Sequence, residues 1–306
     1  MSDRRSRLDS RAIGLLAVCC LIWGIQQVIV KATLPMMPPM MQAALRSAVA
    51  TLLVWGWARQ RGIRLAERDG SLWPGLLSGL LFAGEFVCIY LGLGYTTASR
   101  LVVLVYLSPF VVAAGMPFIS RHERLSPGQA AGLALGFAAV VLAFADRSPS
   151  FAGGSQRWIG DLLAVGAAVL WGATVLVMRG TRLAVISPEK SLLYQLGVSA
   201  VVLAAASGLA GEALPARWPA ALLGSLFFQC VIVAFASYLG WFWLVRHYPA
   251  VRLASFSFLA PLLGLLCGWA LLDEPLSLAL VMALGGVALG IWLVNRAPAP
   301  AATRAD

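Results

Sequence analysis

The sequence predicts an all-α membrane protein, ten transmembrane helices built as a five-plus-five inverted repeat, and three observations predict it. Of its 306 residues 60% are hydrophobic and only 12% charged, against about 25% charged in a soluble domain. The mean hydropathy of +0.84 agrees. The chain divides into ten apolar runs near the roughly 20 residues that cross a bilayer. Features of the first half then recur in order in the second: Trp23-Gly24 as Trp171-Gly172, Lys31 as Arg179, Tyr90-Leu91-Gly92 as Tyr238-Leu239-Gly240, Pro109 as Pro261, and Glu123-x-Leu-Ser126 as Glu274-x-Leu-Ser277.

The first run, 11–30, follows Arg4, Arg5, Arg7 and Arg11; it is too long for the apolar part of a signal peptide and lacks a small-x-small cleavage site, so it is the first span. Pro35, Pro38 and Pro39 separate it from the second, 38–58, and Gly62 and Gly70 separate that from the third, 72–94. The fourth, 99–119, carries Pro109 at its middle, where a proline removes a backbone hydrogen bond and clashes with the carbonyl four residues back. The fifth, 126–145, bears Gly128-x3-Gly132-x3-Gly136. Pro149 and Gly153-Gly154 divide the halves, giving one membrane domain over 1–306 with repeats at 11–145 and 158–294. The sixth to tenth spans follow at 158–178, 187–209, 219–245, 250–271 with Pro261 inside it, and 276–294 with Gly286-x3-Gly290. Five spans per repeat is an odd number, so the second copy enters the membrane from the opposite side. Interrupted helices at matching places in two such halves point to a transporter whose site lies where the halves meet.

Of the 23 Lys and Arg residues, 17 fall on the side of the N-terminus, five on the other (Lys31, Arg100, Arg147, Arg157 and Arg217), and Arg46 lies within a span. Both termini are therefore placed in the cytoplasm. The net charge of +10 is this topology signal, so nucleic acid is not expected as a partner. The partners expected are the lipid bilayer and a small-molecule substrate. The cysteines (Cys19, Cys20, Cys88, Cys230, Cys267) lie in apolar runs without metal spacing, and no cofactor or metal is expected. A membrane enzyme would show a His-Glu-x-x-His motif or paired carboxylates at mid-depth; neither is present. The glycine stripes are faces for close helix packing, within a monomer by preference and at a dimer seam otherwise.

Two charges lie deep in spans, Arg46 and Glu85, both roughly 12–14 Å from the outer ends at about 1.5 Å per residue. Intramembrane charges face the bundle interior and find partners. Two readings follow: a structural ion pair, or a Glu85 that faces a cavity and meets a substrate amine or a proton. Trp23, Tyr90, Tyr106, Trp171 and Tyr238 are deep aromatics in or near the repeated motifs and are expected to wall the cavity, while Gln26, Gln195, Gln229, Thr174, Ser108 and Ser257 are candidates to orient a carboxylate or an amine. Asp273-Glu274-Pro275 is expected to favour the positive end of the tenth helix. Pro109 and Pro261 are expected to act as gating hinges.

The five-plus-five plan, the Trp-Gly pairs, the mid-helix prolines and the paired Glu-x-Leu-Ser turns resemble the EamA family of the drug/metabolite transporter superfamily, over roughly 12–295. Glu85-Phe-Val-Cys-Ile-Tyr-Leu-Gly-Leu-Gly-Tyr95 is similar to the third-helix segment of bacterial aromatic amino acid exporters within it. The resemblance implies an inner-membrane exporter of amino acids with a central cavity. It leaves open an exporter of another metabolite or drug, since members carry many substrates.

Overall fold

The computed structural model describes residues 9–119, 127–145, 156–247 and 259–296, and its regular elements are all helical. They are α1 (Ser10–Thr33), α2 (Pro39–Gln60), α3 (Leu72–Tyr95), α4 (Ala98–Val105), α5 (Ser108–Ile119), α6 (Pro127–Ala145), α7 (Arg157–Gly180), α8 (Pro188–Leu209), α9 (Ala220–Phe227), α10 (Tyr238–His247), α11 (Leu259–Leu272) and α12 (Leu278–Arg296). A π-helical stretch, Phe228–Ser237, joins α9 to α10 without a break. Among the described residues six stretches are long and apolar enough to cross a membrane: Ser10–Thr33, Leu72–Tyr95, Ala98–Ile119, Arg157–Gly180, Pro188–Leu209 and Ala220–Trp241. α2 is not among them although it has 22 residues. Three of its polar residues, Gln42, Arg46 and Ser47, are wholly buried. Its polar positions thus point into the bundle, where a membrane helix can carry them.

Local chemistry sets the helix ends. The Asp9 carboxylate accepts from the Ala12 amide at 2.8 Å and starts α1. Thr97 does the same for α4 through the Arg100 amide at 3.2 Å, and Ser187 precedes Pro188 at the start of α8, where a missing N–H does no harm. The proline in the fourth run interrupts its helix as expected. Pro109 has no N–H to offer the Val105 carbonyl, so α4 stops at Val105 and Tyr106–Leu107 form a turn. The Leu107 amide reaches back only to Leu104 (3.1 Å), and α5 begins beyond it. Pro261 lies in α11, and residues 248–258, before it, are outside those described.

Packing explains the repeated glycines. α1 lies on α11, and α7 on α5. A Cβ added at Gly24 would sit 2.8 Å from the Ala260 carbonyl oxygen; one at Gly172 would sit 2.6 Å from the Val111 Cβ and 3.2 Å from the Ser108 carbonyl oxygen. Each Trp-Gly glycine therefore lets its helix cross beside one of the two prolines, Pro261 or Pro109. α6 packs on α12, and the two glycine stripes meet inside the chain: a Cβ at Gly290 would be 2.9 Å from the Gly132 carbonyl, and one at Gly286 3.1 Å from the Ala139 Cβ. α3 packs on both α7 and α8, and α2 on α8. Acids from the following loops clamp the starts of α2 and α8. Glu212 accepts from the Met40 and Met41 amides (3.2 and 2.7 Å), and Asp69 pairs with Lys190 at 2.8 Å.

Candidate functional site

About a third of the way along α2 the guanidinium of Arg46 is sealed from solvent, at 0% exposure. It donates from Nη2 to the Tyr238 hydroxyl at 2.9 Å and lies 4.2 Å over the ring of Phe86. Its Nε and Nη1 have no partner. Glu85, next to Phe86 on α3, is 7% exposed, and its Oε2 also has no partner. Arg46 and Glu85 lie within electrostatic reach of one another. No salt bridge between them is formed among the described residues, so of the two readings of the sequence the direct ion pair is not the one seen. The reason is visible in the packing: the cation stacks on Phe86 and donates to Tyr238, which holds it away from the carboxylate.

A chain of buried polar groups continues from this point. The Tyr90 hydroxyl donates to Gln229 Oε1, and Gln229 Nε2 donates to Ser225 (2.8 Å) and to Gln42 Oε1 (3.1 Å). Gln42 in turn donates to Thr33 at 3.2 Å. Such groups in a water-poor interior are tolerated when each finds a partner, and here each does.

The π-helical stretch is what brings Gln229 and Tyr238 to the same face. Nine residues apart, they would point in opposite directions on an α-helix, which turns about 100° per residue. Hydrogen bonding to the fifth residue widens the turn to roughly 4.4 residues, so nine residues make about two turns and the side chains align.

Of the other expected wall residues, Trp23 donates through Nε1 to Ser237 at 2.9 Å, beside Tyr238, and meets Trp241 edge-on at 5.4 Å. Trp171 joins through a row of rings: its centroid lies 6.2 Å from Phe82, Phe82 lies 4.8 Å from Phe86, and Phe86 lies 6.1 Å from Tyr90. Tyr106, at the α4–α5 turn, packs with Trp23 and Trp241 around Leu16 and Cys20 and also against the core that holds Phe86 and Tyr90. Gln26 is buried on α1. Gln195 donates to Ser78 at 3.3 Å between α8 and α3, and Thr174 bonds its own helix at Leu170, so both serve packing. Ser257 lies outside the described residues. Phe86, Gln42 and Ser237 are cluster members that sequence reasoning did not single out. Phe86 had one usable signal, its place next to an intramembrane glutamate.

A second polar cluster lies at the end of the bundle where α1 finishes and α4 begins. Arg100, counted from the sequence among the basic residues of the outer side, is wholly buried and holds Asp161 of α7 in two bonds, Nε to Oδ1 at 2.6 Å and Nη2 to Oδ2 at 2.8 Å. It also donates to the Ala143 carbonyl. Glu274, expected to favour the start of the tenth helix, serves another one instead. It caps α4, accepting from the Ala98 and Ser99 amides (2.7 and 2.9 Å) and from the Ser99 hydroxyl (2.6 Å), with Lys31 3.8 Å away. Asp273, in the left-handed region at φ 52°, turns the chain there, and Gly268 leaves the space: a Cβ on it would lie 2.1 Å from Ser99 Oγ. Among the described residues no three His, Cys, Asp or Glu side chains gather as a metal site requires.

A helical membrane bundle with a buried, charged and aromatic cluster at mid-depth is the form of a small-solute transporter. The comparisons supply the family: the EamA-like transporter family matches residues 10–145 and again 158–296, and the chain belongs to it. The uncharacterized transporter YvbV of Bacillus subtilis is 32% identical over 94% of this chain and 92% of that protein. The probable amino-acid metabolite efflux pump of Escherichia coli is 28% identical over 88% and 89%. The aromatic amino acid exporter YddG of Ancylobacter novellus is 26% identical over 95% and 100%. A solved crystal structure shares the fold, with a TM-score of 0.63 at 22% identity, over 94% of this chain and 96% of that one.

Proposed function

We propose that this protein exports amino acids, aromatic ones among them, across a bacterial inner membrane by alternating access. The observation that carries the reading is that the bonds of the mid-depth cluster cross between the two family-matched halves. Arg46 bonds Tyr238, Tyr90 bonds Gln229, Gln42 bonds Gln229, and Trp23 bonds Ser237. A transporter of two inverted repeats holds its substrate at that seam and changes access by moving one half against the other. Ten spans in two inverted copies fit the double family match and the equivalent glycine crossings at Gly24 and Gly172. The basic-residue bias places both termini in the cytoplasm. Pro109 and Pro261, each beside one of those crossings, are the natural hinges. The substrate class is supported by the names of the two relatives that carry one, and by a site offering both charges and aromatic rings.

Counterflow into proteoliposomes tests the reading. Vesicles loaded with aromatic amino acids should accumulate labelled phenylalanine, and a pH gradient should report whether protons are coupled. Exchange of nucleosides or cationic dyes without exchange of amino acids would replace amino acids by another substrate class.

A further inference from the structure

We infer that Arg46 and Glu85 are the two poles of a zwitterion site, the guanidinium holding the substrate's carboxylate and Glu85 its ammonium, with Phe82, Phe86, Tyr90 and Trp171 as the wall for its side chain. This rests on the amino acid reading above and deepens it to named residues. The starting point is an energetic oddity. Both groups are sealed from water, Arg46 at 0% and Glu85 at 7% exposure, yet Arg46 Nε, Arg46 Nη1 and Glu85 Oε2 have no hydrogen-bond partner. Leaving a buried donor or acceptor unmade is expensive, and more so for a charged one. Elsewhere in this bundle a buried arginine closes on its acid, as Arg100 and Asp161 show. Here two opposite charges sit within electrostatic reach, each incomplete, and do not close on each other.

The geometry says what would complete them. Tyr238 takes one of the two hydrogens on Nη2, so whichever it takes, one full two-donor edge of the guanidinium stays open: Nε with Nη2, or Nη1 with Nη2. Such an edge matches a carboxylate in a two-bond fork. The Phe86 ring beneath Arg46 and the Tyr238 hydroxyl fix the fork's direction. Glu85 offers an acceptor that suits an ammonium. A molecule bearing one charge alone would satisfy one pole and leave the other stranded, so the site should reject both simple cations and simple anions. The row of rings from Trp171 to Tyr90 runs alongside, giving an apolar or aromatic side chain its surface.

The experiment is counterflow and competition with the full chain in proteoliposomes, using phenylalanine, its methyl ester and N-acetylphenylalanine as probes. The ester keeps the ammonium and loses the carboxylate; the N-acetyl compound does the reverse. Phenylalanine should exchange, and each blocked probe should compete at least about 10-fold more weakly, since each leaves a charged hydrogen-bonding group unmatched. In Arg46→Met the preference for phenylalanine over its ester should collapse towards one, while Arg46→Lys should keep part of it. If Arg46→Met does not fold, the three-probe comparison on the wild type decides alone. An ester that competes as well as phenylalanine overturns the carboxylate pole, and an N-acetyl compound that does so overturns the ammonium pole, both with amino acid transport intact. Absence of exchange for every amino acid, alongside exchange of a nucleoside or dye, overturns the functional reading and this inference with it.

Discussion

Arg46 and Arg100 are both 0% exposed, in the same bundle, one at mid-depth and one near a helix start. They are handled in opposite ways. Arg100 is gripped by Asp161 in two short bonds, with Thr96 adding a third contact to that carboxylate at 3.2 Å. Arg46 has one hydroxyl and a ring face, and the acid within its electrostatic reach does not touch it. A closed buried ion pair holds helices together, here α4 to α7; the open one is the site we infer for the substrate. Burial alone does not separate the two roles. What separates them is whether the neighbouring acid is in contact with the guanidinium.

The largest effect expected from this contrast is at the completed pair. Removing one partner leaves the other buried and uncompensated, at a cost of about 3–5 kcal/mol. Arg100→Met strands Asp161, which is 2% exposed, and should lower the melting temperature in detergent far more than any change at Arg46. The double substitution Arg100→Met with Asp161→Leu should recover most of the loss, because well-packed apolar residues can replace a buried pair. Full stability in the single variant would remove the structural side of the comparison.

A smaller effect is expected at the third pair, Lys190 with Asp69, which lies in the loop between α2 and α3 and is partly open to solvent. The hydrogen bond from Lys190 holds the Asp69 carboxyl well below the usual carboxylate range, helped by Ser71. A carboxylate with a depressed folded value stabilises the fold above its unfolded value of about 4, and that contribution is lost as pH falls below it. Melting temperatures of the wild type and Lys190→Met should therefore differ modestly at neutral pH and converge in acid. A difference that stays constant with pH would mean that the contact acts by packing rather than by charge.

Local signals were legible in the sequence and distant ones were not. Pro109 breaks its helix because of what its own ring does to the Val105 carbonyl, so the break could be placed in advance. Arg46 and Glu85 stood out because a charge inside an apolar run has few meanings. The Trp-Gly repeat was visible as a pattern, although its cause, the crossings at Ala260 and Ser108, needed the packing. The pairing of Arg100 was not legible because a basic residue at the end of an apolar run looks the same in a loop or in a buried pair, and Asp161 lies 61 positions away. Glu274 was assigned to its neighbour in the chain when its partner is the start of α4, 176 positions back. The π-helical stretch has neither proline nor glycine to announce it, so the alignment of Gln229 with Tyr238 could not be read from spacing.

The smallest expected effect is the most informative. If Arg46 were held as Arg100 is, replacing it would strand Glu85 and the protein would melt early. Because the two do not bond, Arg46→Met gives up one hydrogen bond and a ring contact, and in exchange removes a sealed cation with two unpartnered nitrogens. Those contributions oppose each other, and replacing buried charge by an apolar side chain of similar volume is often neutral or stabilising. The stability of Arg46→Met, read from its melting temperature, should then lie within about 1 kcal/mol of the wild type or above it, while the preference of counterflow for phenylalanine over its methyl ester is lost. A thermal scan beside a transport assay reads both. Loss of stability on the scale of Arg100→Met would mean that Arg46 is bonded in the membrane as a structural residue, and the contrast between the two arginines would disappear.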